Sequence, residues 1–460
     1  MLANDLAELD RAHLIHPVMS WRDHEARGPH VLAEGRGAYL TDASGRTLLD
    51  GFSGLWCVNV GYGQDSVVKA ATEQMMRLPY ATGYFGYAAE PSIRLAARLA
   101  ELAPGDLDHV FFTLGGSDAI DSVVRFIRFY MHAKGTPERR HVISLARGYH
   151  GSSSTGAGIT ALPAFHRDSD LPLPWQHHIA NPYPYRNPVG PEPDAIIAAS
   201  LAEFHAKVEE IGADKVAAFF CEPITGSGGI IVPPKGWLPA MREACRALGI
   251  LFVADEVITG FGRTGPLFAC EDEGIVPDMM TVAKGLTSGY VPMGAVLMSD
   301  AVYRTIRDGS PEGATIGHGL TYSAHPVSAA VGLAVMDLYL DGGGLLAQGQ
   351  RVGAYLGRRL QAFADHPLVG EVRGRGMLQG LELVTDKAAK TKPDKALGIA
   401  GKLAAQGLEH RLIFRAFADD MIGFAPPLCC TEADIDVLCE RLGATLDAVL
   451  ADPAVRAAVR

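Results

Sequence analysis

Short apolar runs without polar alternation punctuate the middle of the chain, at residues 108–113, 141–146, 216–221, 250–254 and 279–282. Runs of this length with no polar face predict strands buried on both sides. Between them, residues 64–77, 91–102, 195–210 and 238–248, and a segment running to about residue 131, carry helical spacing; Ile93, Leu95, Ala96, Leu99 and Leu102 share one broad face. This alternation predicts an α/β fold with a mostly parallel central sheet covered by helices. Ligands of such sheets sit at the carboxyl ends of the strands. Tyr149, Glu222, Asp255 and Lys284 each follow a predicted strand and are expected at that edge.

The chain ends read differently. Residues 1–35 have no sustained period and are expected to form an arm packed on something larger, and residues 37–50 predict a hairpin about the turn residues 42–45. Residues 54–63 form a loop bearing Trp56 between glycines, a place where tryptophan usually anchors packing. A second aromatic loop holds Tyr80, Tyr84, Phe85 and Tyr87. Residues 161–195, rich in proline, predict an irregular surface excursion with His177 and His178 facing solvent. After a long helix at 327–340, short strands at 372–376, 380–383, 412–415 and 422–424 predict a smaller α+β unit. The expected division is an arm and part of the small domain at 1–60, a large domain at 61–330 and a C-terminal small domain at 331–460.

Composition narrows the class. At 460 residues, 48% hydrophobic and 20% charged, the chain is an ordinary globular protein with room for more than one core. A net charge of −11 argues against an electrostatic grip on nucleic acid or an anionic membrane, leaving a small-molecule partner. Seven cysteines without a CxxC pair suit reduced, buried thiols, and no disulfide or metal is assigned. Asp5, Glu8 and Asp10 precede any apolar stretch, unlike a signal peptide, and no run approaches the ~18 apolar residues of a membrane span. A soluble, cytoplasmic protein is expected.

Three features carry chemistry. Leu114-Gly115-Gly116-Ser117-Asp118 joins a predicted strand to a helix, where free N–H groups and the positive helix end make an anion site. Gly260-Phe261-Gly262-Arg263-Thr264-Gly265 matches GxGxxG, but it neither links strand to helix tightly nor precedes an acid at the end of the next strand, so a dinucleotide is not expected. Lys284 ends a buried strand, where burial lowers an amine's pKa toward what a Schiff-base lysine requires. Asp255 ends another, where a carboxylate needs a partner such as a protonated pyridine nitrogen. Together they point to pyridoxal 5'-phosphate.

Residues 255–265, followed by Ala283-Lys284-Gly285, resemble the signature of class III pyridoxal-phosphate aminotransferases, which are fold-type I enzymes. Residues 55–63, Gly115-Gly116-Ser117, Tyr149-His150-Gly151, Glu222-Pro223, Thr321-Tyr322-Ser323 and residues 425–428 recur in order in the ω-transaminase branch, which includes (S)-selective amine:pyruvate and β-alanine:pyruvate enzymes. The resemblance implies a ping-pong Schiff-base cycle. Lys284 would bond the cofactor and carry the proton, and Asp255 would keep the pyridine nitrogen protonated. Tyr149 would stack on one ring face and Val257 press on the other, with Glu222 in support. Gly116 and Ser117 would bind the phosphate, joined by Thr321 from a partner subunit of a homodimer or dimer of dimers. Trp56 would become a substrate wall, near Ile258 and the Tyr84-Phe85 loop, and Arg415 would pair with the carboxylate of pyruvate.

Two departures stand out. Asp118 and Ile120 replace the Glu and Asn common after the phosphate turn, which puts the hydrogen bonds of those residues in question. Ser227 stands where ornithine and GABA enzymes carry a glutamate that neutralises the mobile arginine, which favours amine:pyruvate chemistry. The alternatives are an aminomutase, a decarboxylating transaminase, or a non-catalytic cofactor-binding sensor.

Overall fold

A computed structural model of the protein describes residues 3–340, 344–417 and 421–460. Its central sheet has seven strands: β1 (His109–Thr113), β2 (His141–Leu145), β3 (Gln176–Ile179), β4 (Val216–Cys221), β5 (Leu251–Asp255), β6 (Met279–Val282) and β7 (Gly294–Met298). Their order is β1-β7-β6-β5-β4-β2-β3, and only β7 runs against the others. The mostly parallel α/β fold expected from the apolar runs is borne out.

Successive strand residues feed opposite cores, as the pleat requires. Phe220 and Val253 pack with Ala119, Ile120, Val123 and Ile127 of helix Gly116–Ala133 on one face. Phe219 and Phe252 pack with Trp237, Leu238 and Met241 of helix Trp237–Ala247 on the other. With both faces covered, β4 and β5 are buried at every position, which is why they read as unbroken apolar runs.

Two smaller sheets use the chain ends. Leu32–Arg36, Tyr39–Asp42 and Thr47–Asp50 form an antiparallel ribbon, and Leu412–Ile413 adds to it in parallel beside Thr47–Asp50. Val369–Arg375, Leu378–Leu383, Met421–Phe424 and Arg415–Phe417 form the other, all antiparallel. No helix among the described residues is long and apolar enough to cross a membrane.

Three expectations need correction. Residues 161–195 are not an unbroken irregular excursion: they hold β3, the edge strand, and a short helix at Pro163–His166. His177 and His178 therefore lie half-buried on a strand, with His177 Nε2 2.9 Å from His141 Nδ1, instead of facing solvent. β7 was not anticipated. The arm holds helices Ala3–His13 and Trp21–Arg27 before its first strand.

The GxGxxG segment is a loop with Phe261, Gly262 and Gly265 at positive φ, and it places Arg263 fully inside the protein. The guanidinium donates to Pro426 O and Asn59 Oδ1 at 2.6 Å each, and also reaches Ser53 Oγ at 3.4 Å. It thus ties the loop after β5 to both chain ends. Burial pushes its pKa down to about 10, against the opposing pull of nearby groups such as Tyr339 and Asp50. Removing it strands several buried acceptors. Arg263→Met is expected to cost about 3–5 kcal/mol in chemical unfolding, with Arg263→Lys intermediate; a loss below about 1 kcal/mol in the Met variant would refute the clamp.

Candidate active site

At the carboxyl edge of the sheet lies a cavity of about 390 Å³. Trp56, Gly116, Ser117, Tyr149, Glu222, Asp255, Val257, Ile258, Lys284 and Arg415 all line it, as does Ser227. Thr321, Tyr84 and Phe85 do not. Thr321 is exposed, its carbonyl accepting from Tyr80 Oη at 3.0 Å, and Phe85 is 92% exposed.

β5 delivers Asp255 and β6 delivers Thr281 directly opposite it in the ladder. Thr281 Oγ1 and the Val257 N–H both donate to Asp255 Oδ1, each at 3.1 Å. His150 Nδ1 lies 2.8 Å from Asp255 Oδ2, and the imidazole is 1% exposed. Burial pushes His150 down, but its bond to Asp255 and the charges of Asp255 and Glu222 outweigh burial and hold its pKa above the usual value. His150 was legible only as a member of the Tyr149-His150-Gly151 string. No spacing rule assigns it to Asp255, 105 positions away.

Glu222 accepts from the Tyr149 N–H at 3.0 Å and from the Gly226 N–H at 2.8 Å. Burial, opposed by His150 and reinforced by Asp255, raises its pKa to about 7. Lys284 begins a 3₁₀ turn, Lys284–Leu286, at φ 37°, a left-handed conformation that turns the chain sharply after β6. Its side chain is part-buried, with Nζ 5.8 Å from the Trp56 ring centroid and no ion pair among the described residues. Burial lowers its pKa, against the charges of Cys57, Asp255 and Glu222.

Below these groups, helix Gly116–Ala133 starts without a side-chain cap, so its first N–H groups are open to a ligand. A Cβ on Gly116 would sit 3.0 Å from Val257 Cγ1, and one on Gly151 2.8 Å from Ser117 Cα at a φ of 111°. Ser117 Oγ accepts from the Ser152 N–H at 3.2 Å. The result is a backbone cradle closed to any larger side chain. The departures are absorbed locally: Asp118 Oδ2 accepts from the Leu114 N–H at 2.6 Å and fixes the turn, and Ile120 joins the core.

Trp56 is 3% exposed, edge-on to Phe52 at 4.9 Å and stacked with Phe417 at 6.3 Å. It is at once a packing anchor and a cavity wall. Pro17 and Val18 of the arm, Leu55, Leu162 and Phe165 complete the apolar lining. They escaped the sequence reading because single apolar residues in aperiodic loops carry no pattern. Arg415 stands exposed at the mouth, its guanidinium carbon 5.3 Å from the Phe417 centroid.

An anion cradle at a helix start, a carboxylate at one end of a cavity and a buried amine at another fit a flat phosphorylated pyridine aldehyde. Comparison with known proteins agrees. Residues 22–446 match aminotransferase class-III. The chain is 41% identical over 431 residues to putrescine–pyruvate aminotransferase of Pseudomonas aeruginosa, covering 94% of this chain and 93% of that one. It is 38% identical over 467 residues to diaminobutyrate–2-oxoglutarate transaminase of Halomonas elongata, covering 99% of each. The crystal structure of an (S)-enantioselective omega-transaminase from Thermomicrobium roseum superposes with a TM-score of 0.95 at 41% identity, covering 98% of this chain and 99% of that one. The chain therefore belongs to the class-III aminotransferases, and its cofactor is pyridoxal 5'-phosphate.

Proposed function

We propose that the protein transfers an amino group from a primary amine or ω-amino acid to pyruvate, forming alanine in a ping-pong cycle, with (S) selectivity toward chiral amines. The observation that carries this is Arg415 at the mouth of an otherwise apolar substrate wall, with Ser227 in the lining where an acid would neutralise it. A guanidinium without a carboxylate partner among the described residues suits a keto acid's carboxylate. Trp56, Leu55 and Ile258 suit the hydrocarbon part of an uncharged amine. The similarity to a putrescine–pyruvate enzyme supports the same reading.

Gly116 and Ser117 would hold the cofactor phosphate, Tyr149 and Val257 its ring faces, and Asp255 its pyridine nitrogen. When bound, the cofactor supplies an electrophilic aldehyde and an electron-accepting ring that stabilises charge at the substrate's amine-bearing carbon. Asp255, fixed by His150, Thr281 and the Val257 N–H, would keep a proton on the ring nitrogen. Lys284, whose amine burial biases toward the neutral form, would carry the proton to and from the substrate carbon. Glu222 holds the Tyr149 backbone and so positions that ring.

Thr321 and the Tyr84-Phe85 loop would complete the site across a homodimer or dimer of dimers. Tyr84 lies against Gly319, close to Thr321, and both stand outside their own chain's cavity on a surface that also exposes Met76, Tyr87 and Tyr322. The proposed division of the chain is 1–60, 61–330 and 331–460, the first and last sharing the sheet that pairs Thr47–Asp50 with Leu412–Ile413. A cytoplasmic location is proposed from seven free cysteines, five of them buried.

Three measurements test this reading. Lys284→Ala is expected to lower alanine formation from pyruvate and an amine by about 10⁴-fold or more; an active variant would overturn the mechanism. Arg415→Ala is expected to raise the KM for pyruvate by about 10–100-fold, the loss of a charge-assisted pair of roughly 1.5–3 kcal/mol, while the half-reaction with an uncharged amine changes little. The third concerns pH. With a folded-state pKa near 7 against an ordinary 4.5, Glu222 binds its proton more tightly in the native protein, so its stabilising contribution is full below that window and fades as pH rises through it. Unfolding of the cofactor-stripped protein at about pH 5 and pH 8 should show Glu222→Gln gaining on the wild type by roughly 2–3 kcal/mol at the higher pH. A difference independent of pH would contradict the assignment.

A further inference from the structure

The N-terminal arm holds a second constellation, apart from the cofactor site. Helix Ala3–His13 carries Asp10, the following loop carries His16, and helix Trp21–Arg27 carries His24. The Asp10 carboxylate lies between the two imidazoles. His16 Nε2 is 2.7 Å from Oδ2, His24 Nε2 is 2.7 Å from Oδ1, and the ring centroids are 4.4 Å apart.

The two contacts are not equivalent. His16 makes a directed hydrogen bond to Oδ2. His24 Nε2 instead faces Oδ1 as an ion pair whose hydrogen-bond alignment is poorer, with both atoms buried. His24 is only 7% exposed. A hydrogen bond requires the N–H to aim at its acceptor, whereas a metal ion requires only that lone pairs converge on it. With both imidazoles neutral, their lone pairs and the carboxylate oxygens would converge on one point, an arrangement that a cation can occupy.

We propose that Asp10, His16 and His24 bind a divalent transition-metal ion of the zinc class. The three ligand atoms lie within 4.8 Å of one another, slightly wider than two bonds of about 2.0–2.2 Å, so the side chains would draw in around the ion. Two imidazoles and one carboxylate suit zinc-class ions, not the all-oxygen shells of calcium or magnesium. Three protein ligands leave a position for water. The spacing, six residues from Asp10 to His16 and eight from His16 to His24 by subtraction, matches no familiar metal motif.

The ion would act on the active-site mouth. Pro17 and Val18, which line the substrate cavity, lie between the two histidines. Val18 has a φ of 53°, a conformation rarely adopted by a β-branched residue, so something must hold this turn. The metal would staple both sides of it, fixing one wall of the cavity from outside.

Untagged holoenzyme treated with a chelator and then titrated with Zn²⁺ tests the proposal, with Co²⁺ as a spectroscopic probe. The expected result is one ion per chain and a Co²⁺ visible spectrum of nitrogen and oxygen ligation without a thiolate charge-transfer band. His16→Ala, at a part-exposed position, and Asp10→Asn should each weaken binding by about 100-fold or more, beyond the loss typical of an outer-shell partner. Absence of saturable binding, unchanged affinity in His16→Ala, or a thiolate band placing the ion on cysteine would each overturn it. Because binding is read without turnover, the result stands whether or not pyruvate is the acceptor.

Discussion

Everything at the carboxyl edge of the sheet depends on keeping ionisable groups buried together. Asp255, Glu222, His150 and Lys284 line one pocket, the first three buried and Lys284 part-buried, and any of them alone there would favour its neutral form or unfold its surroundings. They coexist because partners reach Asp255 from three directions, the neighbouring strand through Thr281, the following turn through the Val257 N–H and the loop after β2 through His150, while the Tyr149 and Gly226 N–H groups donate to Glu222. The register of β5 on β6 is thus an electrostatic requirement as well as a packing one. A one-residue slip would turn Asp255 away from Thr281 and into an apolar core.

The fold was legible where burial is symmetric. β4 and β5 are apolar on both faces, so uninterrupted runs announced them, and the residues just after them fell at the sheet edge by topology alone. β3 was illegible for the opposite reason: as an edge strand among prolines it needs little apolar sequence, and His177 and His178 look like loop residues. Asp255 and Lys284 could be inferred because each ends a strand. His150, Val18 and Phe165 could not, since their positions follow from where loops return in space.

Trp56 shows how one residue can satisfy two readings. Its edge-on contact with Phe52 and its stacking on Phe417 are ordinary core packing, and Lys284 and the cavity also lie against it. Phe417 in turn lies under the guanidinium of Arg415. The substrate wall and the group at the mouth therefore rest on one aromatic stack, and a change in Trp56 reaches Arg415 without touching it.

The pairing of Thr47–Asp50 with Leu412–Ile413 also has a meaning for how the protein is made. Leu49 and Leu412 are 363 positions apart by subtraction, and the cavity takes Trp56 from one end of the chain and Arg415 from the other. During synthesis the first ribbon emerges with an open edge, and the 363 positions that separate Leu49 from Leu412 must leave the ribosome before that edge can be covered. Contacts so distant in sequence close slowly and leave apolar edges waiting. The nascent enzyme thus passes through a long stretch of synthesis with its active site incomplete, a period in which chaperones would matter more than for a protein whose site lies in one contiguous segment.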